Sequence, residues 1–235
     1  MKDKSYFFNP FRMLSPKLDS EALRIEELHK EPVSKALTLE EGLLVMISKL
    51  IEMTRLLSKA VVGGSASQMD RCEALADEVD EQENILTKSL VSANVDKELL
   101  RGVIRFPYRL ERMGDMLESI LRCCRVKEKR GIPFSDKAHA ELDELFAGLM
   151  NILVNLRDAF KTPNKVLLEA IIADSLRLRN RLNDFKLAHW ARLEAGICHV
   201  EASSIYRDIL DSSKLACEYV EKMCETLLEL DRSAP

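Results

Sequence analysis

The sequence predicts an all-α protein of two tandem three-helix bundles with an irregular N-terminal arm. Glycine (8), proline (7) and aromatic residues (6%) are too scarce for an architecture of strands and turns. Apolar residues recur with the 3.6-residue period of amphipathic helices. The predicted helices also restart after about 100 residues, a period too long for a solenoid unit and suited to an internal repeat of a three-helix unit.

The first half contains the arm and three helices. Residues 1–37 are polar and carry three prolines, with a short helix expected across "DSEALRIEELHK". A first helix begins at Thr38, because Glu41 three residues later completes a capping box, and it ends at "GGSAS". A second helix is predicted at about 67–92 and a third at about 96–128. Pro107 is expected to kink the third helix one turn before Glu111.

The second half repeats this pattern. "RGIPFSD" at 130–136 is the strongest interruption, so we place the first repeat at 38–130 and the second at 131–235. Helices follow at about 136–161, 163–194 and 200–231. Aligning "LERMGDMLESI" (110–120) with "SKLACEYVEKM" (213–223) places Asp115 on Glu218, but Glu111 on Lys214.

Composition narrows the function. A net charge of −4 without a basic field argues against a nucleic-acid surface. No apolar run could span a membrane, and Asn9 and Pro10 break the N-terminal apolar stretch, so we expect a cytoplasmic protein. The six cysteines form no CxxC pair and are expected to be reduced, buried thiols. With no phosphate loop, nucleophile elbow or Ser/His/Asp grouping, we expect no enzyme.

Acidic side chains form the main candidate site. Glu111, Asp115 and Glu118 share one helix face, and the second helix offers Asp77 and Asp80. Such a stripe is commonly only a solvated surface. Alternatively, carboxylates of neighbouring helices converge on magnesium, calcium, manganese or iron, with Gly114 permitting a close helix approach.

Two further residues lie one turn apart in "FKLAHWARLEAG". His189 and Arg192 could form a polar contact pair, or simply pack at a helix end beside Trp190. The sequence leaves both interpretations open.

"RLERMGDMLESI" resembles the helix signature of the PhoU family. "HWARLEAG", "EASSIYRDIL" and "SKLACEYVEKM" follow in the order seen in the PhoU-like tail of bacterial sodium/phosphate cotransporters, so the resemblance spans residues 38–230. It implies two three-helix bundles, a homodimer, and a soluble, non-catalytic regulator of inorganic phosphate uptake. The implied partner is a membrane phosphate transporter or its sensor histidine kinase, through which alone the chain would contact the membrane.

The family also implies metal binding through an E(D)xxxD motif. Glu111 and Asp115 keep that motif, whereas Lys214 replaces the first acid of the second copy and could instead pair with Asp208 or Asp211. The predicted metal ligands are Asp77, Asp80, Glu111, Asp115 and Glu218, and the other predicted binding residues are His189, Arg192 and Asp208. The alternative function is a non-catalytic helical adaptor or homo-oligomerisation protein without metal.

Overall fold

The computed structural model describes residues 38–92, 101–162 and 164–233, so the N-terminal arm and its expected helix lie outside the described residues. The described part is all-α, as predicted. Its long helices are α1 (Leu39–Gly63), α2 (Ala66–Ser92), α3 (Arg105–Arg130), α4 (Asp136–Lys161), α5 (Lys165–Glu194) and α6 (Val200–Ser233).

The first two helices begin at capping boxes. The Thr38 backbone N–H donates to Glu41 Oε2 at 2.9 Å, and the Glu41 N–H donates to Thr38 Oγ1 at 3.2 Å, which confirms the predicted box. Ser65 and Gln68 form the same reciprocal pair before α2, at 3.1 and 3.3 Å. Each pair satisfies N–H groups that the first helical turn would otherwise leave without a partner.

The start of α3 differs from the prediction. Residues 101–103 are helical, a turn follows at Ile104, and α3 proper begins at Arg105. Pro107 therefore lies in the first turn of α3, where its missing N–H is tolerated, and not at a kink inside a longer helix. The interruption at Ile104 has a physical reason, because Pro107 has no N–H to donate to the Val103 carbonyl four residues earlier.

The six helices share one hydrophobic core. Helices α1, α2 and α3 pack on one another, as do α4, α5 and α6, while α1 with α4 and α3 with α6 join the two groups. The buried apolar side chains of both groups form a single cluster. Phe106 and Phe160 meet edge to face across this junction, with ring centroids 5.6 Å apart.

Residues at equivalent positions are buried in the two halves. The buried residues of α3 recur 103 residues later in α6, as in Leu110 and Ser213 or Gly114 and Cys217. Those of α2 recur mainly 99 residues later in α5, as in Val79 and Leu178 or Leu86 and Phe185. These two offsets allow the acidic site of one half to be compared with the corresponding position in the other.

No helix in the described ranges has an apolar stretch long enough to cross a membrane.

Candidate functional site

Three carboxylates of α2 and α3 come together. Asp80 of α2 and Glu111 and Asp115 of α3 each offer an oxygen, and these oxygens all lie within 4.8 Å of one another. Asp80 is exposed, and Glu111 and Asp115 are half-buried. We call these three residues the acidic triad. It contains both acids of the E(D)xxxD segment and one of the two predicted α2 acids.

Helix packing positions the triad. Val79, next to Asp80, is fully buried and lies opposite Gly114, one residue before Asp115. A Cβ placed on Gly114 would lie 3.4 Å from Val79 Cγ1 and 3.9 Å from Leu50 Cδ2, which are ordinary van der Waals distances. The close approach of α2 and α3 therefore does not require glycine, contrary to our expectation.

The triad has an unfavourable electrostatic environment for three negative charges. Burial, and then the charge of Asp115, raises the pKa of Glu111 to about 7, although Arg112 opposes the shift. Burial also raises the pKa of Asp80, followed by repulsion from Asp115 and Asp77. Arg112 forms an ion pair with Asp115 on the same helix, so the triad is only partly neutralised.

The donor set suits a hard cation. Three carboxylates provide only oxygen ligands, which magnesium, calcium, manganese and iron accept. A divalent cation would favour the ionised forms of Asp80 and Glu111, whose pKa values are raised. Asp77 is not part of the triad, but its negative charge acts on Asp80.

The corresponding position in the second half is built differently. Arg179 of α5 donates from Nη2 to Glu218 Oε1 and from Nη1 to Glu221 Oε2, each at 2.7 Å. Glu218, predicted as a metal ligand, is therefore paired with a guanidinium and lies outside the acidic triad. Lys214 contacts Asn183 Oδ1 at 3.2 Å, whereas Asp211 pairs with Lys186, so the suggested pairing of Lys214 with Asp208 or Asp211 is wrong.

His189 and Arg192 do not pair with each other. His189 is 2% exposed, and its Nε2 lies 2.8 Å from Ser203 Oγ. Both terminal nitrogens of Arg192 donate to Glu141, at 2.9 and 2.6 Å. Each residue therefore bonds to a side chain of a neighbouring helix, so the suggested contact between His189 and Arg192 is wrong, while their role as binding residues stays a prediction.

Trp190 and Asp208 lie elsewhere. Trp190 is half-exposed, and the guanidinium of Arg207 lies over its ring, with Cζ 5.3 Å from the ring centroid. Asp208 is exposed and lines a groove between α3 and α6, opposite Arg122 and Cys123. Its role as a binding residue stays a prediction.

The sequence did not single out Glu141, the acid that accepts both hydrogen bonds of Arg192. Glu141 is 2% exposed and accepts a further bond from the Tyr206 hydroxyl at 2.6 Å. A signal was present, because Glu141 lies among the apolar positions of α4, between Ala138 and Leu145. An acid on an apolar stripe requires a buried partner. Arg179, in contrast, does not lie on the apolar stripe of its helix, so its sequence position did not indicate a partner.

Fold and site together define a class of all-helical, two-bundle proteins that present carboxylates on a helix face. No family model matches the chain, and no curated protein matches it. Among solved structures, it is similar to the phosphate transport system regulatory protein PhoU from Streptococcus pneumoniae, with a TM-score of 0.71 and 14% identity over 83% of this chain and 94% of that one. The fold is therefore PhoU-like, as the motifs indicated.

Proposed function

We propose that this chain is a regulator of inorganic phosphate uptake that acts by binding a membrane phosphate transporter or its sensor kinase. The observation that carries the proposal is the fold, which it shares over most of both chains with a phosphate transport system regulatory protein. The motif "RLERMGDMLESI" supports it independently, because it holds Glu111 and Asp115, two of the three acids that the structure brings together. The proposed form is a cytoplasmic homodimer of chains that each contain a duplicated three-helix unit.

The acidic triad is the proposed cation site of this regulator. Asp80, Glu111 and Asp115 would hold the cation, and they belong to two different helices. A bound cation would supply positive charge between α2 and α3, where the carboxylates otherwise repel one another. The second half supports this interpretation, because there the cation of Arg179 lies against the equivalent acidic face.

The regulatory role is tested in cells. Deleting the gene should change phosphate uptake, and affinity purification of the full chain should recover a phosphate transporter or its kinase. The variant D80N/E111Q/D115N should reproduce the uptake defect, whereas E81Q, an exposed acid on the same helix outside the triad, should not. Unchanged uptake on deletion, together with no recovered transport component, would contradict the proposal.

The cation is tested on purified protein. Protein prepared without added metal should gain thermal stability with manganese, magnesium or ferrous iron, and D80N/E111Q/D115N should not. Less than about 0.1 metal ion per chain after exposure to these ions, with no thermal shift, would favour the alternative function of a helical adaptor without metal.

A further inference from the structure

Arg179 occupies the position in the second half that Asp80 occupies in the first. It lies 99 residues later, the offset at which Val79 corresponds to Leu178. Its two partners, Glu218 and Glu221, lie 103 residues after Asp115 and Glu118, the offset that relates α3 to α6. A guanidinium therefore faces the same stretch of helix that an acid faces in the first half.

The two sets of residues differ strongly in charge. The first half places four acids at these positions, namely Asp80, Glu111, Asp115 and Glu118. The second half places two cations and two acids at the same positions, namely Arg179, Lys214, Glu218 and Glu221. At these four positions the formal charges cancel in the second half and add up in the first, where the counter-ions Arg112 and Arg122 come from α3 itself and pair with Asp115 and Glu118.

The contact of Arg179 is well shielded from solvent. The Arg179 side chain is 24% exposed, and those of Glu218 and Glu221 are 28% and 14% exposed. Burial raises the pKa of Glu221, an effect that Arg179 opposes and that Glu218 and Glu225 reinforce. Without the guanidinium, two carboxylates one turn apart would share this partly buried surface.

We infer that Arg179 is a built-in cation, so that the α5–α6 contact needs no metal and, within the residues that the structure describes, an external cation binds only between α2 and α3, at one site. The inference about stoichiometry rests on the cation site proposed above, whereas the role of Arg179 rests on its own contacts. The α5–α6 contact is then permanently neutralised. The α2–α3 contact depends on the cation concentration, which makes the first half the responsive part of the regulator.

The role of Arg179 is tested without any metal, in the presence of a chelator. R179Q should lower the melting temperature of the full chain by about 5 °C, because it leaves two partly buried carboxylates without their counter-ion. R181Q is the matched control, since Arg181 lies on the same helix and pairs with Glu144, but both side chains are about half exposed. R181Q should change the melting temperature by less than about 1 °C.

A second variant separates charge from packing. R179Q/E218Q/E221Q should regain most of the loss, because neutral amides do not repel one another. Two results would overturn the inference, because each would show that Arg179 is not a counter-ion. The first is an R179Q melting temperature equal to that of the wild type, and the second is a triple variant whose melting temperature stays as low as that of R179Q.

Stoichiometry is tested by calorimetric titration with manganese. Wild-type protein should bind one ion per chain, and R179D/K214E, which restores the charges of the first half, should bind two. Two ions in the wild type, or one in a folded R179D/K214E, would overturn the inference. Wild-type protein that binds none would contradict the cation site of the proposed function, while the metal-free melting temperatures still decide the role of Arg179.

Discussion

Arg192 and Glu141 form a two-pronged ion pair inside the second bundle, with Nη1 donating to Oε1 at 2.9 Å and Nη2 to Oε2 at 2.6 Å. Their side chains are 13% and 2% exposed. Tyr206 completes the arrangement by donating its hydroxyl to the same carboxylate. Three helices are thereby linked by one acid, with Glu141 on α4, Arg192 on α5 and Tyr206 on α6.

Removing Arg192 should destabilise the protein strongly. R192A leaves the buried Glu141 carboxylate without its counter-ion, which costs about 3–5 kcal/mol. Y206F removes a single hydrogen bond to that carboxylate and should cost about 1.5–3 kcal/mol. Urea unfolding of the full chain measures both. A loss below about 1 kcal/mol for R192A would contradict a buried pair, and R157A, whose partner Asp158 is half-exposed, is the surface control.

The acidic triad should make stability depend on pH. The folded-state pKa of Glu111 is about 7, above the value of an unfolded chain, so the folded state binds the proton more tightly. This contribution is complete below about pH 4.5 and is lost as the pH rises through 7. In metal-free buffer, E111Q should therefore melt about 2 °C above the wild type at pH 8 and close to it at pH 5.

Thermal melts of both proteins between pH 5 and 8 check this expectation, with E81Q as the control. A constant difference across that range would show that Glu111 does not titrate there. The groups that face Glu111 are Asp80 from α2 and Arg112 and Asp115 from its own helix.

Gly114 should accept a side chain. Its Cβ would lie at ordinary contact distance from Val79, and alanine is favoured over glycine inside a helix, so G114A should stabilise the protein by about 0.5–1 kcal/mol. G131A is the contrast, because Gly131 ends α3 at φ 62° and alanine there should cost about 1 kcal/mol. Chemical unfolding measures the change in the free energy of unfolding, which should rise in G114A and fall in G131A. A destabilised G114A would indicate a tighter α2–α3 contact.

The cysteines should differ in reactivity. Cys72, Cys124, Cys217 and Cys224 are buried, and burial raises the pKa of Cys72 and Cys124 to about 12. Cys123 and Cys198 are half-exposed, but burial also raises the pKa of Cys123, to about 11. Iodoacetamide at pH 8 should therefore modify Cys198 first, as read by mass spectrometry, and the four buried thiols only after unfolding. Early labelling of Cys72 would contradict this order.

Local signals explain what the sequence predicted correctly. The start of α1 depends on two residues three apart, Thr38 and Glu41, and the end of α3 on Gly131, so neither needs knowledge of the fold. The position of Glu111 and Asp115 on one face of the helix follows from helix periodicity alone. Asp80 joins them only because α2 packs on α3, which the assumption of a three-helix unit made a reasonable expectation.

Long-range contacts explain what was missed. Arg179 meets Glu218 39 residues later, and Glu141 meets Arg192 and Tyr206 after 51 and 65 residues. No periodicity within a helix reports such pairs, because they depend on the rotation of one helix against another. The same reason explains the error at Lys214, whose partner Asn183 lies on α5 and not on its own helix.

The junction between α1 and α4 and between α3 and α6 has a consequence for how the chain can be divided. Cutting at Gly131 would expose the aromatic contact of Phe106 with Phe160 and leave Arg109 without the Lys222 carbonyl to which it donates. Each fragment would then expose to water the apolar surface that it buries against the other half. It should aggregate, or re-associate with its counterpart when the two are co-expressed. Unfolding should accordingly be a single all-or-none event, with one calorimetric peak and no half-folded species.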